Sequence, residues 1–331
     1  MKAYSVQELD SFFKSLESHY DVCVPVRRRD GTRALGAPAD GPLTLAGGPV
    51  PNKITSVFFP QMEVVLTASS DRLATPSPLA RPVFVVGLTA QDADCLEFID
   101  RFFATGFPDS VYLRRRQDSV VVCVSGRCGA DGQSLKIAGG KCDLELICDG
   151  DKYLLAAYTD AGNAQLDKIH GGTETPAASL AELEKESNAL PNEDFEMIQA
   201  ASALLLKNKV PDEFWQKVSD RCIACTSCNL ACPSCTCFDM FDREGADGEV
   251  ERWRLWDSCQ LDGFMREASG HNPMGKQEVR TRRRIHHRLA ADVSKWGHVT
   301  CYLCGRCDEV CPSGIGMKSV CREMLQQYGS A

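Results

Sequence analysis

Apolar residues recur at helical spacing at the start of the chain and at strand spacing directly after it. Five apolar side chains within residues 5–18 fall on one helix face, and Ser5 with Glu8 forms a capping-box pattern, which predicts an amphipathic helix. Residues 21–28 then alternate apolar and polar positions and predict a strand. Pro25 in this strand has no N–H to donate, which indicates the edge of a sheet. The apolar helical positions are Val6, Leu9, Phe12, Phe13 and Leu16.

The rest of the first 165 residues mixes apolar runs of strand length with one helical stretch. Residues 29–52 contain many Gly and Pro and predict an irregular connection. Residues 119–124 form a β-branched run that is typical of a central strand. Residues 1–165 are therefore interpreted as an α+β docking domain. The other predicted features are short apolar segments at 54–67 and 82–88, a helix at 91–105, and a hairpin of 142–148 with 153–158.

Beyond residue 165 the apolar spacing becomes helical. Residues 176–189 and 193–208 are rich in Ala, Leu and Glu with helical periodicity, which predicts a helical linker over residues 166–220. The helical pattern returns at residues 279–296, and almost no strand pattern follows the linker. Residues 221–331 are therefore predicted to form an all-α domain.

The second half of the chain also carries one cysteine pattern twice. Each copy reads C-x2-C-x2-C-x3-C-P, the spacing that holds [4Fe–4S] clusters in bacterial ferredoxins. Each iron of such a cluster binds a soft thiolate, and cysteines at three-residue intervals let one tight loop supply three of them. The duplication predicts two [4Fe–4S] clusters bound by eight cysteines, and a role in electron transfer. The copies are Cys222, Cys225, Cys228, Cys232 and Pro233, and Cys301, Cys304, Cys307, Cys311 and Pro312.

The fourth cysteine of each run is predicted to serve the other cluster, as in two-cluster ferredoxins. Between the runs lie 68 residues with helical patterns, which favours a helical ferredoxin domain over the compact β type. The predicted fold is thus an α+β N-terminal domain followed by an all-α helical-ferredoxin domain with two [4Fe–4S] clusters. The predicted ligands are Cys222, Cys225, Cys228 and Cys311 for cluster one, and Cys301, Cys304, Cys307 and Cys232 for cluster two.

Zinc sites and disulfide bonds are the alternative uses of these cysteine runs. Paired CxxC motifs suit tetrahedral zinc, although zinc requires neither a third cysteine at the same interval nor the C-P ending. Cysteines separated by two-residue gaps have poor geometry for disulfide bonds with one another. Eighteen cysteines without an export signal indicate a reducing compartment, so the chain is predicted to be cytoplasmic.

Charge and motifs exclude several other classes of function. A net charge of −8 argues against nucleic acid as a partner, and the apolar runs are too short to span a membrane. The sequence contains no Walker loop, no G-x-G-x-x-G after a strand and no H-E-x-x-H. We therefore expect no catalytic residues in this chain, and no binding of nicotinamide, flavin or nickel by it.

Longer strings around the cysteines resemble a known family. These strings are RCIACTSCNLACPSCTCFD at 221–239, WDSCQ at 256–260, GHN at 270–272 and CYLCGRCDEVCP at 301–312. They resemble the iron–sulfur β subunit of soluble, sulfhydrogenase-type [NiFe] hydrogenases and the A subunit of anaerobic sulfite reductase. FFPQ at 58–61 and residues 87–100 are similar to the N-terminal domain of that family. WDSCQ favours the hydrogenase branch.

The resemblance implies a non-catalytic subunit of an oxidoreductase complex. It would pass single electrons between a flavin- and NAD(P)-binding reductase subunit and the small and large subunits of a [NiFe] hydrogenase. The alternative complexes are an anaerobic sulfite reductase and a flavin oxidoreductase linked to heterodisulfide reductase. An iron–sulfur redox sensor is an alternative of another class, although no DNA-binding motif is present.

The N-terminal region departs from the family at positions that suit a third cluster. Gln91 and Gly126 stand where family members carry cysteines, and Cys128 alone remains near a C-F-C motif, so we expect no third cluster. Two hypotheses remain for the four cysteines of this region: an improvised metal site, in which two of them share a strand face, or small buried hydrophobic side chains. These cysteines are Cys123, Cys128, Cys142 and Cys148, and the two expected to share a face are Cys142 and Cys148.

Two further features near the cysteine runs allow more than one interpretation. Residues 280–288 read RTRRRIHHR, which indicates a solvated helix face, electrostatic support for anionic clusters, or a docking patch for an acidic partner. Arg283 and Arg284 are the residues whose charge the two functional interpretations invoke. Three other cysteines near the runs could be alternative ligands, could tune the potential of a cluster, or could only pack against it. These cysteines are Cys235, Cys237 and Cys259, and the nearby histidines expected at the surface are His271, His286 and His287.

Overall fold

The computed structural model describes residues 2–77, 79–246 and 248–329. The chain divides into two compact units. The first comprises Met1–Phe59 and Ser77–Leu190, and the second comprises Pro60–Pro76 and Pro191–Ala331. The division at residues 165 and 220 that the sequence suggested stays a prediction.

The regular elements alternate in the first unit and are mainly helical in the second. The described strands are β1 (Lys2–Ser5), β2 (Asp21–Arg27), β3 (Arg33–Gly36), β4 (Met62–Ala68), β5 (Leu73–Ala74), β6 (Val83–Leu88), β7 (Val120–Gly126), β8 (Leu144–Asp149), β9 (Lys152–Ala157), β10 (Thr173–Glu174), β11 (Phe238–Glu244) and β12 (Val250–Trp256). The described α-helices are α1 (Val6–Ser15), α2 (Ala90–Ala104), α3 (Ser110–Arg116), α4 (Asp160–Leu166), α5 (Ala177–Asn188), α6 (Glu193–Leu206), α7 (Asp212–Ser219), α8 (Ser227–Leu230), α9 (Gln277–His286), α10 (Asp292–Trp296), α11 (Arg306–Glu309) and α12 (Met317–Tyr328). Within these described stretches, no helix combines the length and apolar character that crossing a membrane requires.

The first unit is built on a mixed sheet of eight strands in the order β10-β1-β9-β8-β7-β6-β2-β3. The central strands β2, β6, β7 and β8 pair in parallel, and the outer pairs are antiparallel. Every residue of β6 and β7 is buried, which explains why both read as continuous apolar runs. The mixed, sheet-rich N-terminal region agrees with the α+β prediction.

The start of α1 has the capping box that the sequence predicted. The Ser5 N–H donates to Glu8 Oε2 at 2.8 Å, and the Glu8 N–H donates to Ser5 Oγ at 3.3 Å. These bonds satisfy two N–H groups that a helix end would leave without partners. Leu9 and Phe13 of this helix are buried in a core with Phe84 of β6.

Pro25 does not lie in an edge strand, so that prediction is wrong. β2 has β6 on one side and β3 on the other, but its parallel pairing with β6 ends at Cys23. Pro25 therefore has strand pairing on one side only, and its missing N–H is tolerated inside the sheet. A Cβ at Gly87 of β6 would lie 2.2 Å from Pro25 Cγ, so the absence of a side chain there makes room for the ring.

The prediction of an all-α second domain is wrong for residues 238–256. β11 and β12 form a hairpin in which Phe241 stacks on Trp253, with ring centroids 6.4 Å apart. β12 also pairs with β4, and Arg254 Nη2 donates to the buried Glu63 carboxylate of β4 at 2.6 Å. The missed strand has its partner about 190 residues earlier in the sequence, where a local pattern cannot find it.

The helices of the second unit pack around one apolar core beside the cysteine runs. α6, α7, α9 and α12 contribute buried side chains to this core, including Trp215, Ile285 and Val320. Cys222, Cys301, Cys307 and Cys311 are partly buried against the same core. Both cysteine runs are therefore fastened to the same packed group of helices.

Candidate metal centre

The two cysteine loops share an unusual backbone. Ala224 and Thr226 in the first loop have φ of 53° and 64°, and Leu303 and Gly305 at the equivalent positions have φ of 62° and 80°. A left-handed residue at alternate positions turns successive N–H groups toward one side, which is how backbone nests surround anionic groups, including iron–sulfur centres. A short helix follows in each loop, α8 in the first and α11 in the second.

This backbone is costly for the residues that adopt it. Ala224, Thr226 and Leu303 are not glycine, and each left-handed residue of that kind costs about 1–2 kcal/mol. Strain of this kind persists when the surroundings hold it, and it concentrates at ligand sites. Its repetition at equivalent positions of both loops indicates that the loops are shaped to surround the same kind of group.

Four of the eight predicted ligands line one cavity. Gln260 and Arg284 also face this cavity. Cys311 lies in the second run, whereas the other three cysteines that line the cavity lie in the first run. These four cysteines are Cys222, Cys225, Cys228 and Cys311.

The other four thiols influence one another electrostatically. Burial raises the pKa of Cys301 well above its usual value, and its neighbours Cys307, Cys232 and Cys304 raise it further. Burial likewise raises the pKa of Cys307 to about 12, with a further contribution from Cys232. Cys232 of the first run thus lies near the thiols of the second. The assignment of all eight ligands stays a prediction.

Backbone N–H groups donate to three of the predicted ligand sulfurs. Each N–H to Sγ distance is 3.4 Å, from Ala224 to Cys222, from Met317 to Cys307 and from Ile315 to Cys311. A hydrogen bond to a thiolate stabilises its charged form. The chain therefore offers donors at both loops for sulfurs that carry negative charge.

Asp308, next to the ligand Cys307, holds the start of α12. Its carboxylate accepts from the N–H groups of Lys318 at 3.2 Å and Ser319 at 3.0 Å. Gly316 makes this approach possible, because a Cβ there would lie 2.3 Å from Asp308 Cγ. The second loop is thereby fastened to the last helix.

The WDSCQ segment packs against the first loop. Asn229 Nδ2 donates to Ser258 Oγ at 2.9 Å and to Cys259 Sγ at 3.2 Å, with all three side chains buried. Gln260 Oε1 lies 3.9 Å from Cys222 Sγ, and its Nε2 donates to the Arg280 carbonyl at 2.7 Å. The WDSCQ segment, which carried part of the family resemblance, thus supports the first cysteine loop.

Cys235, Cys237 and Cys259 come together in the structure. Hydrogen bonds with the other two thiols are the main reason why the pKa of Cys237 is raised, and burial adds to them. The pKa of Cys259 falls to about 6 mainly because Cys237 hydrogen-bonds to it. Throughout the described residues, however, no three His, Cys, Asp or Glu side chains form a group that could hold a single metal ion.

The basic block at residues 280–288 does not form one exposed patch. Arg280, Arg284 and Arg288 are buried, and Arg283 is the one exposed arginine of the block, so the interpretation of Arg284 as a docking residue is wrong. Buried arginines at intervals of four residues follow one face of α9 and the π-helical turn that continues it. This spacing was visible in the sequence and could have revealed the buried face.

The histidines near the runs lie at or close to the surface. His271 is exposed, and His287 Nε2 lies 3.3 Å from Asp292 Oδ1. His286 is half-buried, and burial together with the charges of Arg282 and Arg283 lowers its pKa.

The N-terminal cysteines lie in two pairs, so the hypothesis of a single four-cysteine site does not hold. Cys123 hydrogen-bonds to Cys142, and Cys128 hydrogen-bonds to Cys148. The expectation that Cys142 and Cys148 share a strand face is wrong, because β8 begins only at Leu144.

The structure describes both positions at which the resembled family is expected to carry cysteine. Gly126 has a φ of 76°, and a Cβ there would lie 2.4 Å from the carbonyl oxygen of Cys148, so no cysteine fits without a shift of the backbone. Gln91 lies in the first turn of α2, next to Asp92, which forms the capping box of that helix with Thr89.

Comparisons with known proteins agree with this geometry. Residues 221–315 match the family described as "4Fe-4S dicluster domain". Sulfhydrogenase 2 subunit beta of Pyrococcus furiosus is 26% identical to the chain over 251 residues, which are 72% of this chain and 73% of that subunit. The predicted resemblance to hydrogenase β subunits is confirmed. No solved structure matches the chain.

The two matches indicate the general character of the chain. Residues 221–315 are an iron–sulfur domain of the 4Fe–4S type, and the matches together support an iron–sulfur electron-transfer subunit. Sequence reasoning found the cysteine runs and WDSCQ, but it missed the buried roles of Asn229, Arg284 and Arg288. The sequence marks Asn229 only as one polar residue between two predicted ligands.

Proposed function

We propose that the chain binds two [4Fe–4S] clusters and passes single electrons between a flavin- and NAD(P)-binding reductase subunit and a [NiFe] hydrogenase module. The observation that carries this proposal is the cavity lined by Cys222, Cys225, Cys228 and Cys311. Three thiols of one run and the fourth of the other meet there, which is the ligand exchange expected of a two-cluster ferredoxin.

The residues at both loops fit such a cluster. Four thiols in each set match the four irons, the left-handed backbone at Ala224 and Leu303 turns N–H groups to one side, and further N–H groups donate to the sulfurs. When bound, a [4Fe–4S] cluster supplies one-electron redox chemistry. The chain's own part is to hold the thiols and to set the surrounding charge.

The name of the Pyrococcus furiosus relative supports a hydrogenase as the electron partner. The flavin- and NAD(P)-binding subunit is proposed from the family resemblance, as the second contact of the same chain. A cytoplasmic location, inferred from the cysteine content, stays a prediction. Purification of the chain with its native partners would identify them directly, and recovery of a sulfite reductase instead would replace the hydrogenase proposal.

Ligand exchange between the loops can be tested by four single substitutions. The full chain is purified without oxygen, with about eight iron atoms per chain expected. Under the proposal, Cys311→Ser and Cys225→Ser lose the same electron paramagnetic resonance signal, and Cys232→Ser and Cys304→Ser lose the other. Cys321→Ser is the control, since Cys321 is buried in α12 outside both ligand sets.

Two outcomes would contradict this proposal. Zinc in place of iron in the purified chain would exclude the clusters. If Cys311→Ser and Cys304→Ser lose the same signal, each run keeps its own fourth cysteine.

A further inference from the structure

Arg284 is a buried cation that faces thiols rather than carboxylates. Its side chain is only 6% exposed, and Nη2 donates to the Ile315 carbonyl at 2.5 Å. Burial alone would lower the pKa of this guanidinium, but the neighbouring cysteines raise it above its usual value. These cysteines are Cys228, Cys307, Cys259 and Cys311.

The position of Arg284 relates it to both predicted ligand sets. Arg284 lines the same cavity as Cys228 and Cys311, which belong to the set proposed for cluster one. The charge of Cys307, which belongs to the set for cluster two, also acts on it. Arg284 also lowers the otherwise raised pKa of Cys228 and of Cys307, as expected for a cation that stabilises both thiolates.

Arg288, one turn further along, has different surroundings. It donates to the Ser234 carbonyl at 2.9 Å and lies near Cys232, but the Asp292 carboxylate is also among its neighbours. Asp292 balances part of that charge. The groups that act most strongly on the charge of Arg284 are instead cysteine thiols.

A buried charge is tolerated when an opposite charge compensates for its lost hydration. Thiolates that bind iron supply such a charge at both loops. Reduction of either cluster site adds negative charge, and a nearby cation stabilises the reduced form more than the oxidised one.

We propose that the Arg284 guanidinium is a counter-charge shared by both cluster sites, and that it raises the reduction potentials of both. The inference rests on the proposed function, because it requires two reducible sites. Arg284 acts here as a positioning and charge-setting residue that donates no electron itself.

The test compares Arg284→Met with Arg283→Met in the full chain. Both substitutions remove one positive charge from α9, but Arg283 is exposed and Arg284 is buried. In anaerobic redox titrations followed by electron paramagnetic resonance, Arg284→Met should lower both midpoint potentials. The expected change is at least tenfold in the equilibrium constant for each one-electron reduction, or about 59 mV. Arg283→Met should change that constant less than twofold.

Arg284→Lys keeps the experiment decisive if Arg284→Met binds no iron. The role of charge is supported if the lysine variant retains iron and the equilibrium constant for reduction of each site stays within twofold of its value in the unsubstituted chain. If the lysine variant also loses its iron, the shape of the side chain matters rather than its charge, and the inference is wrong. A shift of one potential alone, or of neither, overturns it as well.

The unsubstituted chain separates this inference from the proposed function. If it shows no reducible [4Fe–4S] signals, the proposed function fails. If it shows two signals whose midpoint potentials Arg284→Met leaves unchanged, only the role of Arg284 fails.

Discussion

The first cysteine loop, 222–232, and the second, 301–311, have the same backbone but different surroundings. Cys225 in the first loop is exposed and the preceding Ile223 is 67% exposed, whereas the equivalent Cys304 and Tyr302 are partly covered. Tyr302 Oη is also hydrogen-bonded to His298 at 3.2 Å. We therefore expect small reagents to reach the first site sooner than the second.

The loops also differ in how they are fastened. Side chains from the WDSCQ segment hold the first loop through Asn229, and Asp308 holds the second loop through the start of α12. Cysteine spacing and left-handed backbone therefore define what kind of group each loop can bind. The exposure and the fastening of each loop determine how well it keeps that group.

The largest effect is expected where the second loop is fastened most tightly. Gly316→Ala places a Cβ 2.3 Å from Asp308 Cγ and 2.4 Å from Asp308 Cα, so Asp308 must shift away from α12. Overpacking of this kind costs about 1–3 kcal/mol. We expect a lower unfolding temperature and faster release of iron from the second site to a chelator.

Gly263→Ala is the matched control for that substitution. Gly263 lies in the same unit, and a Cβ there meets no atom within 4 Å. Equal iron release in both glycine variants would show that the contact between Gly316 and Asp308 does not hold the second loop.

An effect of comparable size is expected at the fastening of the first loop. Asn229→Ala removes the hydrogen bonds to Ser258 Oγ and Cys259 Sγ in a buried position, at a cost of about 1–3 kcal/mol. Chelator-driven iron release should accelerate at the first site and stay unchanged at the second. Acceleration at both sites would contradict separate fastening of the loops.

The duplicated run made the candidate site predictable, because thiol spacing is set by the chemistry of the cluster and is local in sequence. The capping box of Ser5 and Glu8 was equally predictable from the sequence, since a capping box spans only four residues. The pairing of β4 with β12 was not predicted, because it depends on a contact between distant segments that overrides the local pattern. The burial of Arg284 was also missed, although the four-residue spacing of the buried arginines is local.

The paired cysteines of the N-terminal unit show the limit of cysteine counting. Cys123 and Cys128 lie in or just after a strand of a closely packed sheet, and each contacts one other thiol. Cys225 and Cys304 stand on loops with alternating left-handed residues. Backbone conformation distinguishes the paired cysteines near the strand from the cysteines on the loops. The pattern of residue types along a strand does not reveal that conformation.

The smallest effect is expected when the residues that differ at one equivalent position of the two loops are exchanged. Thr226 has a φ of 64° and Gly305 has a φ of 80°. Relief of about 1–2 kcal/mol of left-handed strain in Thr226→Gly is offset by about 0.5–1 kcal/mol of added freedom in the unfolded chain. Thr226→Gly should therefore raise the free energy of unfolding by about 0.5–1 kcal/mol, and Gly305→Thr should lower it by a similar amount. Denaturant unfolding without oxygen measures both changes. If both substitutions change the free energy of unfolding in the same direction, the two loops do not share the left-handed backbone at this position.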